Sequence, residues 1–154
     1  GHLVLATLHT NDSASAVTRL LEMGVEDYLL APTLNGVVAQ RLVRRLCQDC
    51  SEPYLPDPDS VASLAGPRQK LQNNFHKPIG CVACGMTGYN GRTSVLEILP
   101  VNSSFRDLLM KGADHQSLVS HAVSSGMQTL TTAGLELASR GITSLDEILR
   151  VTRE

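Results

Sequence analysis

Tryptophan is absent from this 154-residue sequence, and aromatic residues make up only 3% of it. The core must therefore be aliphatic, and stacking platforms for unpaired bases have little to be built from. Neither sign of charge dominates: 13 Lys and Arg stand against 15 Asp and Glu, a formal net charge of -2. A nucleic acid or an anionic membrane gains no bulk electrostatic attraction from such a balance. No apolar run reaches the ~20 residues needed to cross a bilayer. No signal peptide, internal repeat or low-complexity segment is visible either. What is left is a globular composition, 42% hydrophobic and 18% charged, long enough for one domain or two small lobes. A reducing, cytosolic setting fits it.

Cysteine is scarce too, but its placement is informative. All four cysteines fall in two C-x-x-C pairs, Cys47-Gln48-Asp49-Cys50 and Cys81-Val82-Ala83-Cys84. A C-x-x-C turn brings two thiolates within reach of one ion, and two such turns complete the four-thiolate tetrahedron of a structural zinc site. The gap from Ser51 to Gly80 is long for a compact zinc ribbon, so a folded piece, a helix, is expected to fill it. Two disulfides, or four unrelated buried cysteines, are the alternatives.

Along the chain, Leu3-Val4-Leu5-Ala6-Thr7-Leu8 reads as a strand buried on both faces, the kind found inside parallel sheets. One such strand makes no sheet. With Gly1 rather than Met at the start, the chain is expected to be a piece whose pairing strands lie upstream. His9-Thr10-Asn11-Asp12-Ser13 follows, with Asn11, Asp12 or Ser13 able to cap a helix that runs to about Met23 and stops at Gly24. Val17, Leu20 and Leu21 mark its inner face. His9 then lies at the carboxyl edge of a sheet, where α/β proteins place ligands. A hydrogen-bonded structural histidine is the plainer reading. A second helical stretch is expected over 27–46, because Leu34, Val38, Leu42 and Leu46 recur at i+4. Gln40, Arg41, Arg44 and Arg45 group on its other side. They form a solvated face, or Arg44 and Arg45 offset the negative charge of a zinc–tetrathiolate centre, or Arg41 reaches a phosphate.

Pro53, Pro56 and Pro58 make an extended connector. Asp59 or Ser60 can cap a short helix over 61–64, with a further piece near 69–71 and a break at Gly66-Pro67. His76 is a conceivable extra ligand beside a site that four thiolates already close. Gly85 and Gly88 allow backbone N–H groups to turn toward sulfur. Tyr89-Asn90-Gly91-Arg92 carries an Asn-Gly hairpin signal, and 93–99 reads as a strand with Val95, Ile98 and Leu99 apolar, ended by Pro100. Four short helices follow. The first starts at Asn102 or Ser103, the second at Asp114, the third spans 131–140, and the fourth opens with the capping box Ser144-x-x-Glu147. An Asp146–Arg150 pair supports the last. This tail carries no chemistry and reads as a packing lobe or a partner surface.

In combination these segments are specific. Gly1-His2-Leu3-Val4-Leu5-Ala6-Thr7-Leu8-His9-Thr10-Asn11-Asp12 resembles the His box of secretion ATPases. Ala39-Gln40-Arg41-Leu42-Val43-Arg44, the two C-x-x-C pairs, Gly88-Tyr89-Asn90-Gly91-Arg92-Thr93 and Gly141-Ile142-Thr143-Ser144-Leu145-Asp146-Glu147 follow in that family's order. The whole chain is similar to the C-terminal part of the type II secretion ATPases (the general secretory pathway protein E family), with type IV pilus assembly ATPases as near cousins. The variable part is 55–74. Pilus retraction ATPases lack the four-cysteine insert and fit less well.

The resemblance implies an α/β fold: the end of a RecA-like P-loop ATPase core over 1–46, a tetracysteine zinc-binding subdomain over 47–92, and a C-terminal strand and helical lobe over 93–154. It implies a hexameric ring at the cytoplasmic face of the bacterial inner membrane, hydrolysing ATP with Mg2+ to drive pseudopilus assembly and protein export. The partners implied are other copies of itself and the inner-membrane platform proteins, with no nucleic acid and no direct membrane insertion. It makes His9 the catalytic or γ-phosphate-sensing histidine, places Arg92, Arg41 and Thr10 near the nucleotide, and makes Cys47, Cys50, Cys81 and Cys84 the ligands of a structural Zn2+. No G-x-x-x-x-G-K-[ST] stands in these 154 residues, so this chain alone is expected to be inactive toward ATP. Besides a pilus assembly ATPase, two other classes compete. A free-standing zinc-binding interaction module would not begin with an unpaired buried strand. A thiol–disulfide enzyme would need its C-x-x-C at a helix N-terminus, whereas the first pair is expected at a helix C-terminus.

Overall fold

A computed structural model describes residues 2–66, 69 and 71–152. The described chain divides into two compact units, each assembled from two separated stretches: 1–39 with 97–127, and 40–96 with 128–154.

The first unit is helical around a short sheet end. Helix α1 (Ser13–Glu22) starts where Asp12, in an extended conformation, accepts the Ser15 N–H at 2.7 Å. It ends before Gly24 at φ +90, a left-handed position glycine occupies at little cost. Helix α2 (Asp27–Thr33) contains Pro32. Helix α4 (Ser103–Met110) is capped by Asn102 and α5 (His115–Ser124) by Asp114. Ala14, Val17, Leu30, Ala31, Leu99, Val101, Phe105, Leu109, Leu118, Ala122 and Met127 form one aliphatic core with a single aromatic ring in it. Glu97 is also buried there, accepting hydrogen bonds from the Ser13 backbone N–H at 2.8 Å and the Ser13 hydroxyl. A carboxylate against the first turn of α1 is where the helix dipole favours it.

The second unit holds the cysteines, helix α3 (Pro58–Leu64), a 3-10 turn (Val82–Cys84), and helices α6 (Leu130–Ser139) and α7 (Leu145–Thr152). Strands β2 (Glu52–Pro53) and β3 (His76–Lys77) pair antiparallel, Glu52 with Lys77 and Pro53 with His76. Helix α6 packs on both α3 and α7. Gly134 makes the α6–α7 approach possible: a Cβ there would lie 2.8 Å from Ile148 Cγ2.

Several expectations need correction. Residues 27–46 are not one helix. After α2 the chain becomes strand β1 (Gly36–Leu46), which pairs with β4 (Tyr89–Pro100). A spacing of four residues satisfies a period of 2 as well as one of 3.6, and the Val37-Val38 pair favours the strand. Val38 and Leu42 of the supposed buried stripe are exposed, while Ala39, Val43 and Leu46 are buried. The Asn90-Gly91 signal makes no hairpin turn, because both residues lie inside β4. Among the described residues, the 3–8 segment joins no ladder, and Leu3, Val4 and Leu5 are exposed. Both sheets described here have two strands and neither takes it in. The cap of α3 is Asp57, with Pro58 in the first turn, rather than Asp59 or Ser60. The piece expected near 69–71 includes residue 70, which lies outside the described residues, as does Pro67 of the expected Gly66-Pro67 break.

Candidate functional site

Strand β1 sets the position of the first cysteine pair. Strand β1 delivers Leu46 and Cys47 into the second unit's core, where the Leu46 N–H donates to Ile142 O and the Cys47 N–H to Gly88 O, both at 3.0 Å. The second pair sits on the 3-10 turn, with Cys81 as its N-cap. All four sulfurs lie within 4.8 Å of one another. Cys47–Cys81, Cys50–Cys84 and Cys81–Cys84 are 3.9, 3.8 and 3.7 Å apart. Zinc–sulfur bonds of about 2.3 Å at tetrahedral angles put the sulfurs about 3.8 Å apart. A disulfide needs about 2.05 Å, and all four thiols are free.

The backbone around the sulfurs is arranged as an outer shell. Gly80 N–H donates to Cys50 Sγ at 3.3 Å, and the N–H groups of Cys81 and Gly88 donate to Cys84 Sγ at 3.2 Å each. Such donors stabilise the thiolates that a metal requires. Without an ion the protons divide unevenly. Backbone N–H donation from Cys81 and Gly88 outweighs burial and holds Cys84 down at about 6. Burial and neighbouring thiols push Cys50 up to about 12. Gly85 does not serve as a donor to sulfur, since its N–H goes to Val82 O. His76 stands outside the cluster with Nδ1 against Asn74 O at 3.1 Å. Arg44 does not offset the thiolates either. Its guanidinium is committed to Glu147, at 2.6 and 3.0 Å, and lies 4.1 Å from the Tyr89 ring centre. The donors that the sulfurs of Cys50 and Cys84 do have are backbone N–H groups.

In the first unit, His9 and Thr10 line a cavity of about 300 Å³ with Asn11, Ser15, Thr18, Arg19, Glu22 and His115. His9 itself is exposed on the loop before α1. The loop is held by Thr10, whose hydroxyl donates to Asp12 O at 3.2 Å, and by Asp12 as the α1 cap. The two imidazoles and the hydroxyls of this polar hollow are groups that can donate to an anionic oxygen, while the Arg19 guanidinium is paired with the Glu22 carboxylate at 3.4 Å.

Residues 1–150 match the family model described as type II/IV secretion system protein. The chain belongs to that family. It is 44% identical over 155 residues to the type IV pilus assembly ATPase PilB of Thermus thermophilus, covering all of this chain and 17% of that relative. It is 42% identical over 154 residues to the type II secretion system ATPase E of Vibrio cholerae, and 44% identical to the type II secretion system protein HxcR of Pseudomonas aeruginosa. All of this chain is covered in both, with 30% and 29% of the relatives' own lengths. The chain thus spans less than a third of these relatives.

For this family member the four expected metal ligands come together, and so do His9 and Thr10. Arg41 and Arg92 belong to the other unit: Arg41 is half-buried on β1 with Nη1 donating to Gln40 O at 3.2 Å, and Arg92 is exposed on β4. Gly80 is a sulfur donor that the expected glycines, Gly85 and Gly88, did not include, although its place directly before the second C-x-x-C marks it. No local pattern marks His115 apart from its place after the Asp114 cap.

Proposed function

We propose that this chain is the C-terminal part of a secretion motor ATPase of the type II class, in which the four cysteines hold a structural Zn2+ and the His9 loop faces the nucleotide. The observation that carries the reading is the convergence of Cys47, Cys50, Cys81 and Cys84 at tetrahedral spacing in a chain of this family. Zinc would close the module without an open position for water, so it supplies folding energy rather than chemistry on ATP. On this reading residues 1–39 complete a RecA-like core, and the cysteine segment is a subdomain of its own.

His9, with Thr10 beside it, would donate a hydrogen bond to a terminal phosphate oxygen, which is stronger when the acceptor is charged. Arg41 and Arg92 are proposed as further nucleotide or subunit contacts. The phosphate cradle and Mg2+ ligands are supplied by sequence that these 154 residues do not contain, so the chain alone is expected to be inert toward ATP. The whole protein would work as a hexamer at the cytoplasmic face of the inner membrane, docked on platform proteins of a secretion system. The pilus assembly relative at 44% identity keeps pilus extension as the second reading.

The test uses the full-length ATPase. His9→Ala is expected to abolish most ATP turnover while zinc content stays at one per chain. Wild-type turnover in that variant would remove His9 from the mechanism. Four titratable thiols and no metal in protein purified under reducing, chelator-free conditions would remove the zinc reading.

A further inference from the structure

His115 sits on α5, about a hundred residues from the His9 loop in sequence, yet it lines the same cavity. Its Nε2 is 3.3 Å from Asp12 Oδ1 and 3.2 Å from Ser15 Oγ. The proton positions follow from the partners. Asp12 accepts the Ser15 N–H on Oδ1 at 2.7 Å and the Ser15 hydroxyl on Oδ2 at 2.8 Å. The Ser15 hydroxyl has one proton and gives it to Asp12, so toward His115 its oxygen can only accept. An ionised Asp12 accepts only. Nε2 must therefore carry the proton and donate to both, which fixes the tautomer of a neutral His115 and is equally met by the imidazolium.

Asp12 is also the residue on which the loop rests. It caps α1, and Thr10 bonds to its carbonyl oxygen. Burial favours the neutral form of Asp12, but the Ser15 and His115 donors outweigh it and lower its pKa. The ionised cap thus sits between the helix N-terminus and the α5 histidine, three residues from His9.

We propose that His115 is a positioning residue for the His9 loop, acting through Asp12 and not on the nucleotide. It anchors the loop's carboxyl end to α5, so that His9 and Thr10 present one arrangement to the cavity instead of several. This rests on the reading of His9 as nucleotide-facing. Losing such an anchor leaves the reacting groups in place but loosely held, and misplacements of about 1 Å cost roughly tenfold to a hundredfold in rate.

The experiment uses the full-length ATPase with His115→Ala, His115→Gln, His9→Ala and the His9/His115 double alanine variant. Gln is the informative replacement because its amide N–H reaches about where Nε2–H stands. His115→Ala should lower kcat roughly tenfold to a hundredfold, with a smaller change in the KM for ATP. His115→Gln should recover most of that loss. The double variant should be no slower than His9→Ala, because both changes act on one loop. Asp12→Asn, which keeps a good helix cap but removes the charge, should lower kcat likewise while leaving the melting temperature near wild type. Wild-type kcat in His115→Ala, no recovery with Gln, or a double variant slower than His9→Ala would each overturn the proposal. If His9→Ala itself turns over normally, the nucleotide reading of His9 falls and this positioning role falls with it. A slow His9→Ala beside a His115→Ala at the wild-type rate separates the two: it overturns the positioning role alone and leaves the reading of His9 standing.

Discussion

Glu147 shows how much one side chain can hold together. It is 1% exposed and takes both oxygens to arginines: Arg44 through Nε and Nη2, and Arg150 through Nε and Nη2. Its carboxylate is taken up by these partners and not by its own helix cap. Ser144 Oγ accepts the Glu147 N–H at 3.1 Å, but the carboxylate turns away, and Oε1 also accepts the Arg44 backbone N–H at 3.0 Å. Only half of the expected capping box is therefore made. Burial raises the Glu147 pKa, but the donors from Arg150 and Arg44 outweigh it and hold it down at about 2, against 4.5 ordinarily. A depressed carboxylate stabilises the fold fully above its unfolded value. That stability is lost as pH falls from about 4.5 through about 2. Glu147→Gln should cost about 2 kcal/mol at pH 7. Urea unfolding at pH 7 and pH 3 should show the wild type losing more between the two than the variant; equal losses would contradict the assignment.

A second residue-scale prediction concerns Gly80, at φ +115, where a Cβ would stand 2.7 Å from Met86 O. Both the backbone conformation and the space exclude a side chain. Gly80→Ala must move the amide that donates to Cys50. Zinc should then be lost to a chelator at least several-fold faster than from wild type, followed with a colorimetric zinc indicator. An unchanged rate would mean that the donor is dispensable.

At the scale of elements, punctuation was readable and period was not. Asp114 caps the helix it was expected to cap, and Asp12 and Asn102 are each one of the alternatives expected for theirs, because a short polar side chain before an apolar run has few other uses. The expected third helix begins one residue earlier, at Leu130 behind a Thr129 cap. The failure at β1 came from a stripe that fits two periods, and from partners more than forty residues away, which no window around 36–46 contains. The cysteine cluster was legible because chelation imposes a local spacing. Glu147 and His115 were not, since their partners Arg44 and Asp12 lie across the fold. Gly134 belongs to this scale as well, as the flat spot where α6 meets α7. Gly134→Leu should raise helix propensity by about 1 kcal/mol yet destabilise the protein by roughly 1–3 kcal/mol through overpacking against Ile148. Denaturant titration decides the sign, and a more stable leucine variant would show that α7 can shift away.

For the whole molecule, the prediction is about what metal removal reaches. Chelation should expose amides at 47–54 and 75–89, because a four-thiolate site and its surrounding fold form together. The core of the first unit has its own apolar cluster and should keep its protection. Hydrogen exchange read by mass spectrometry checks this directly. Uniform loss of protection in both units would mean that the chain opens as one cooperative body.

The salt-bridged carboxylate also sets a timetable. Arg44 and Glu147 are 103 positions apart, and at roughly 5–20 residues per second a ribosome needs on the order of 5–20 s to bridge that interval. All four cysteines emerge well before α7 does. On the zinc reading, a nascent chain can therefore close its four-cysteine site before Glu147 exists to pair with Arg44. Ribosome-bound chains stalled before α7 should accordingly already retain zinc, and stalled chains that take up zinc only once α7 has emerged would place the helix, not the ion, at the start of this unit's assembly.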